Sequence, residues 1–235
     1  MSIRRVNFAP SEWYHCFSRG VDKRQIFMDE RDCQRFQMLL YTCNNSDPLH
    51  ISNMSVSRRG PALPAVLAHN RKKQLVDIAS YCLMPNHQHL LLREKDYGGI
   101  STFMQKLGTG YTMYFNKRYA RTGALFSGPF KAVHVERDSH FRRCVNYIHA
   151  NPAELSEPGW KKGLVRNVAQ LRKRLLDYPF SSLLDYEGVE RPENAIVDIR
   201  AAIEILDTIP SFKTLLDDAC TFYRLEKDLI EKLER

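Results

Sequence analysis

Residues 74–84 form a dense apolar run closed by Pro85-Asn86, and a second run, residues 87–93, follows at once. A turn of two residues predicts a hairpin or tight bend between two strands. Residues 11–19 mix aromatic and polar positions and predict a first strand ended by Gly20, and residues 132–135 predict a short one. Between the strands, apolar residues recur at helical spacing. Asp29 caps a predicted helix to about Asn44, with Phe36, Leu39, Leu40 and Cys43 on one side. A second helix is predicted from about residue 100 to 119, after Gly98-Gly99. A third runs from a cap at Asp138 or Ser139 to near Asn151, because Pro152 disfavours helix at the residue before it. Residues 195–209 and 211–234 pattern as two amphipathic helices split by Pro210. Residues 45–73, with Asn-Asn-Ser-Asp-Pro, a Gly-Pro pair and five basic residues, predict a long, mobile loop. Strands with helices between them and at least one hairpin indicate an α+β fold with a largely antiparallel sheet.

Charge adds a division. The 235 residues carry a net +8, but residues 181–235 hold 7 Lys+Arg against 13 Asp+Glu, leaving 28 basic and 14 acidic residues in 1–180. So basic a segment suggests a polyanion partner, nucleic acid first, although a basic solubilising surface is the plain alternative. The contrast predicts that 1–180 is the unit that binds nucleic acid and that 181–235 does not touch it. No run approaches eighteen apolar residues, so no membrane span is expected. Six scattered cysteines without a CxxC pair suggest reduced thiols in a cytoplasmic protein rather than a zinc or disulfide framework.

Three groups of residues could carry chemistry. His87 and His89 share one face of their strand about 7 Å apart, where they could hold a divalent cation with a third ligand or simply be structural. On the helix that follows Asp138, Tyr147 and Asn151 lie one turn apart on the flank of the apolar stripe, beside His140 and Arg143. A boundary tyrosine resting on the core gives the same pattern. Residues 111–121 interleave Tyr111, Tyr114 and Tyr119 with Lys117, Arg118 and Arg121, suited either to stacking single-stranded bases or to a helix with an aromatic core face.

Together these motifs resemble one family. Met84-Pro-Asn-His-Gln-His-Leu-Leu91 resembles the HUH signature of single-tyrosine transposases. The segments 121–131, Tyr147-Ile-His-Ala-Asn-Pro152 and Tyr178-Pro-Phe-Ser-Ser182 follow in the order seen in the REP-associated tyrosine transposases, and the start, Tyr14-His-Cys-Phe-Ser-Arg-Gly20, resembles that family's opening. The resemblance spans about residues 11–188. It implies an HUH, ferredoxin-like catalytic domain over 1–188, with a central antiparallel sheet flanked by helices, followed by an acidic helical extension over 189–235. It implies that His87, His89 and Asn151 hold Mg²⁺ or Mn²⁺, and that Tyr147 is the nucleophile. The implied substrate is single-stranded DNA hairpins of REP-like palindromes, handled by a monomer or homodimer. Lys117, Arg118, Arg121, Lys131, Arg137, Arg142 and Arg143 are then candidates for phosphate contacts, and Tyr111, Tyr114 and Tyr119 for stacking.

The sequence departs from the family pattern at Gln88, where a hydrophobe is usual, at Pro129 for a common arginine, at Phe180 for a frequent tryptophan, and in the length of the 45–73 loop. The implied activity is a DNA strand transferase and site-specific single-strand endonuclease that leaves a 5′-phosphotyrosine and a free 3′-hydroxyl. Two alternatives stay open: a hairpin DNA- or RNA-binding regulator that does not cut, and a metal-dependent phosphodiesterase that uses water.

Overall fold

The computed structural model describes residues 6–47, 49, 51–54 and 62–234. Four strands form one antiparallel sheet: β1 (Trp13–Arg19), β2 (Val76–Met84), β3 (His87–Glu94) and β4 (Lys131–Val135), in the order β2-β3-β1-β4. The predicted hairpin is β2–β3, with Met84 opposite His87. Its Pro85-Asn86 turn is locked from outside. The Pro85 carbonyl accepts from the N–H groups of Ile26 (2.8 Å) and Phe27 (3.1 Å), and that of Asn86 accepts from Gly20 (2.9 Å).

Strand alternation divides the core into two layers. Tyr14, Cys16, Leu90 and Leu92 face α1 (Glu30–Cys43) and α3 (Gly99–Arg118). Trp13, Cys82, Met84 and Leu91 face α4 (Asp138–Ala150) and the C-terminal helices. The caps explain where the first layer's helices start. Asp29 accepts from the Asp32 N–H, as expected from the sequence. Buried Glu94 accepts from the N–H groups of Gly98 (2.6 Å), Gly99 (3.1 Å) and Ile100 (2.7 Å), so the negative end of a strand fills the positive start of α3. Gly98 has φ 83°, a conformation a side chain would strain.

Several expectations need correction. The N-cap position of α4 is Arg137, with no side-chain cap from Asp138 or Ser139. Within 45–73 the chain is not uniformly irregular: Leu63–Leu67 form a short helix, α2, because Leu63, Val66 and Leu67 have a core to enter. Arg58 and Arg59 of that segment lie outside the described residues. Two further helices, α5 (Val168–Leu176) and α6 (Leu183–Tyr186), escape the sequence pattern. The C-terminal helices are α7 (Ile199–Leu206), shorter than expected, and α8 (Phe212–Glu234).

The exposed edge of the sheet would be β2, and the Tyr178-Pro-Phe-Ser-Ser182 segment covers it. The Leu83 N–H donates to the Phe180 carbonyl (3.0 Å), and the Ser182 N–H to that of Tyr81 (3.0 Å). The acidic extension is not peripheral to the core. Ala201, Ala202, Leu206, Leu215, Leu216, Ala219 and Phe222 pack with α4 and the sheet in one apolar cluster. Among the described residues no helix is long and apolar enough to cross a membrane, and all six cysteines are free.

Candidate active site

The register of β1 against β3 puts Phe17 opposite His89 and Arg19 opposite His87. Period-two alternation then aims His15, Phe17 and Arg19 on one strand, and His87 and His89 on the other, at the layer that holds α4. The two rings of the His87-Gln-His89 motif stand 4.9 Å apart, centre to centre, and nearly perpendicular. Gln88 points to the opposite face, is buried, and its Oε1 meets no hydrogen-bond donor among the described residues.

Across this face runs α4. It sets the Tyr147 ring 5.6 Å from that of His89 and 6.1 Å from that of His15. One turn later comes Asn151. Its Nδ2 donates to the Tyr147 carbonyl (2.8 Å), which turns the carboxamide oxygen away from the helix, and the side chain is within hydrogen-bonding reach of His87. The structure thus brings His87, His89, Asn151 and Tyr147 to one place.

The histidines are held in the state a metal needs. Burial pushes the His87 imidazole down to about 3, with the positive charges of Arg19 and Lys161 acting in the same direction. Burial first, then His87 and His15, hold His89 well below the usual histidine range. Neutral imidazoles carry a lone pair for coordination. The His87 Nδ1 lies 2.6 Å from Asn86 Oδ1, leaving Nε2 as its coordinating atom, and the buried His89 Nε2 has no hydrogen-bond partner among the described residues. Two imidazoles and a carboxamide oxygen suit a small divalent cation, and an orphaned buried nitrogen is what such an ion would satisfy. Among the described residues no group of three His, Cys, Asp or Glu side chains could hold a metal ion.

Beside His87 opens a cavity of about 180 Å³ lined by Arg19, Lys23 and Lys131 along with Gly20 and Gly128. Lys131 is therefore the sequence-predicted cation that shares a cavity with His87. Lys161, which lies close enough to depress both of them, was missed; nothing in Trp160-Lys-Lys-Gly163 signals it. Lys117 and Arg137 are exposed and Arg143 is half-buried. Arg142 donates to Asp218 (3.0 Å), and Arg121 staples its own loop through Asn116 (2.7 Å) and the Ala124 carbonyl (2.8 Å).

The aromatic–basic stretch is organised differently from its expected stacking role. Tyr111 is fully buried and donates to the Ile26 carbonyl, so no base can reach its face. Tyr114 and Tyr119 both donate to buried Asp32, at 2.9 and 2.8 Å. Arg118 donates to Asp32 (2.6 Å) and Asp29. Three of the six proposed contacts in this stretch thus close around one carboxylate, 82 to 87 residues away in the chain.

Tyr147 itself is 1% exposed. Phe222 of α8 lies on one side, with ring centres 4.8 Å apart, and Trp160 on another at 6.1 Å.

Residues 11–151 match the family described as "Transposase IS200 like", and the chain belongs to that family. The four-stranded sheet and its helices are similar to the solved "Structure of the REP associates tyrosine transposase bound to a REP hairpin". The TM-score is 0.50 and the identity 14%, over 82% of this chain and 90% of that one, a likeness of fold. No curated protein matches the chain.

Proposed function

We propose that the chain is a metal-dependent DNA nicking and strand-transfer enzyme that joins itself through Tyr147 to the 5′ side of a cut single strand. The observation that carries this reading is the convergence of His87, His89, Asn151 and Tyr147 on one face of one sheet. Mg²⁺ or Mn²⁺ held by His87, His89 and Asn151 would withdraw charge from a phosphate oxygen and make phosphorus more open to attack.

The remaining work falls to the chain. Phe222 and Trp160 fix the plane of the Tyr147 ring and so the direction of its oxygen. That oxygen bonds to phosphorus as the bond from phosphorus to the 3′-oxygen breaks. The phenolic proton is given up and the 3′-oxygen takes one, so the products are a 5′-phosphotyrosine ester and a free 3′-hydroxyl. A free phenol, with pKa about 10, is ionised in only about one molecule in a thousand at pH 7, so nearby positive charge has to assist. Arg19, Lys131 and Lys161 supply it. Unlike a hydrolysed end, the tyrosine ester can be attacked by another 3′-hydroxyl, which rejoins strands.

The substrate side of the proposal is single-stranded DNA hairpins of REP-like palindromes. It is supported by the charge of residues 1–180 and by the hairpin held by the protein of similar fold. Tyr147 stands beside the histidines of its own chain, so a monomer is sufficient.

The test uses hairpin DNA labelled on either side of the cut, with Mg²⁺ or Mn²⁺ and a denaturing gel. Wild type should shift only the fragment with the new 5′ end, and Tyr147→Phe should cut nothing. A cutting Tyr147→Phe protein would instead support a water-using phosphodiesterase. The burial of Tyr147 favours a second reading, a hairpin-binding regulator; wild type that binds hairpins but cuts with neither metal would establish it.

A further inference from the structure

A third histidine stands behind the pair. His15, in the middle of β1, is fully buried, and its Nε2 lies 2.9 Å from Nδ1 of His89. The two rings stack with centres 5.0 Å apart and planes 24° from parallel. An N–H···N bond holds one proton, so one ring must donate and the other accept. The outer nitrogens, His15 Nδ1 and His89 Nε2, are buried without a hydrogen-bond partner among the described residues.

We infer that His15 is a positioning residue that makes His89 a ligand: its Nε2 accepts, keeping the His89 proton on Nδ1 and leaving the His89 Nε2 lone pair open to a metal. The inference rests on the metal reading above. Its first support is the parallel with His87. There Asn86 Nδ2 donates to the Lys23 carbonyl (3.2 Å), so Asn86 Oδ1 is an acceptor and holds the His87 proton on Nδ1. His15 does for His89 what Asn86 does for His87. Its second support is the cost of the reverse arrangement. If His15 donated, His89 Nε2 would carry a buried hydrogen with no acceptor, pointing where the cation must sit. In the assigned arrangement the unpaired hydrogen is on His15 Nδ1. That ring stands edge-to-face with Phe222 (73°) and Tyr147 (81°), a setting that tolerates an N–H better than a lone pair.

Two variants separate the role from mere packing. His15→Phe keeps a ring and removes the acceptor; His15→Gln places a carbonyl oxygen near where Nε2 stood. In metal-free protein, two-bond ¹H–¹⁵N correlation spectra should show His89 protonated on Nδ1 in wild type and His15→Gln. In His15→Phe it should shift toward Nε2–H. Mn²⁺ affinity, read by EPR, should fall about 10- to 100-fold in His15→Phe and recover in His15→Gln. Circular dichroism confirms that the variants fold. A wild-type His89 protonated on Nε2 would overturn the inference. So would a folded His15→Phe with unchanged tautomer and Mn²⁺ affinity, while leaving the metal reading intact. Wild type with Nδ1–H that takes up no Mn²⁺ would overturn the metal reading, and the role of His15 with it.

Discussion

Phe222 of the acidic C-terminal segment lies against Tyr147, the proposed nucleophile, with ring centres 4.8 Å apart and planes 30° from parallel. Both rings are 1% exposed. The extension therefore forms part of the wall around the candidate active site, and this changes what a deletion can test. Phe222→Ala should cost about 3–5 kcal/mol, as for other buried aromatic truncations, read as a fall in the urea midpoint at constant slope. A loss under about 1 kcal/mol would show that α8 does not seat as described. Deleting residues from 190 onward removes seven apolar side chains from this cluster. The truncated chain should aggregate or unfold rather than bind hairpins unchanged.

Buried neutral histidines predict an acid limit. His15, His87 and His149 are each pushed to about 3, in every case mainly by burial. In the unfolded chain each takes a proton near pH 6.5. Between about pH 6.5 and 3 the unfolded state therefore binds more protons, and folding stability is lost as the pH is lowered. Each group should contribute a slope approaching about 1.4 kcal/mol per pH unit in that window, with no contribution above it. Urea titrations at pH 7.5, 6.5, 5.5 and 4.5 check this; a flat profile would refute it.

Asp32 should be a structural centre and not a DNA contact. It is fully buried and accepts from Tyr114, Tyr119, Arg118 and the Met28 N–H. Asp32→Ala leaves Arg118 without its buried partner and should cost about 3–5 kcal/mol in thermal or urea unfolding. Tyr114→Phe should cost about 1 kcal/mol and leave hairpin affinity unchanged. A Tyr114→Phe protein that folds normally but binds hairpins tenfold more weakly would restore the stacking role.

Lys131 and Arg142 make a matched pair for the salt dependence of binding. Lys131 lines the cavity beside His87, whereas Arg142 is tied to Asp218. Lys131→Ala should lower the slope of log K against log salt by about 0.7, one single-strand phosphate, and Arg142→Ala should leave it unchanged. Fluorescence anisotropy with a labelled hairpin, at several salt concentrations, gives both slopes. The reverse result would move the DNA path onto the outer face of α4.

How much of this could be read in the sequence depends on chain distance. His87 with His89 follows from the two-residue period of a strand, and Tyr147 with Asn151 from one helical turn, so each pair was legible. What joins the pairs is the pairing of β1 with β3 and the packing of α4 on that face, which no local pattern encodes. His15 was hidden for the same reason: it meets His89 across 74 residues. The tyrosines of α3 misled because their spacing describes a surface as well as a core; Asp32, on another helix, decides. The helix α5 was missed because its two buried residues, Leu171 and Leu175, sit among cations and give too short a periodic signal.

The covering of β2 and of Tyr147 comes from residues that follow all four strands in the chain, and this has a consequence for synthesis. At about 5–20 residues per second, the stretch from Ser182 to Phe222 takes several seconds to be made. In that interval the α1–α3 side of the sheet already has most of its partners, since the described buried residues of its cluster lie between 14 and 125, apart from Ile196. The histidine side does not. A nascent chain thus carries a half-finished sheet, with an apolar face uncovered, until α8 has emerged. The order of emergence makes the candidate active site close later than the α1–α3 side of the sheet.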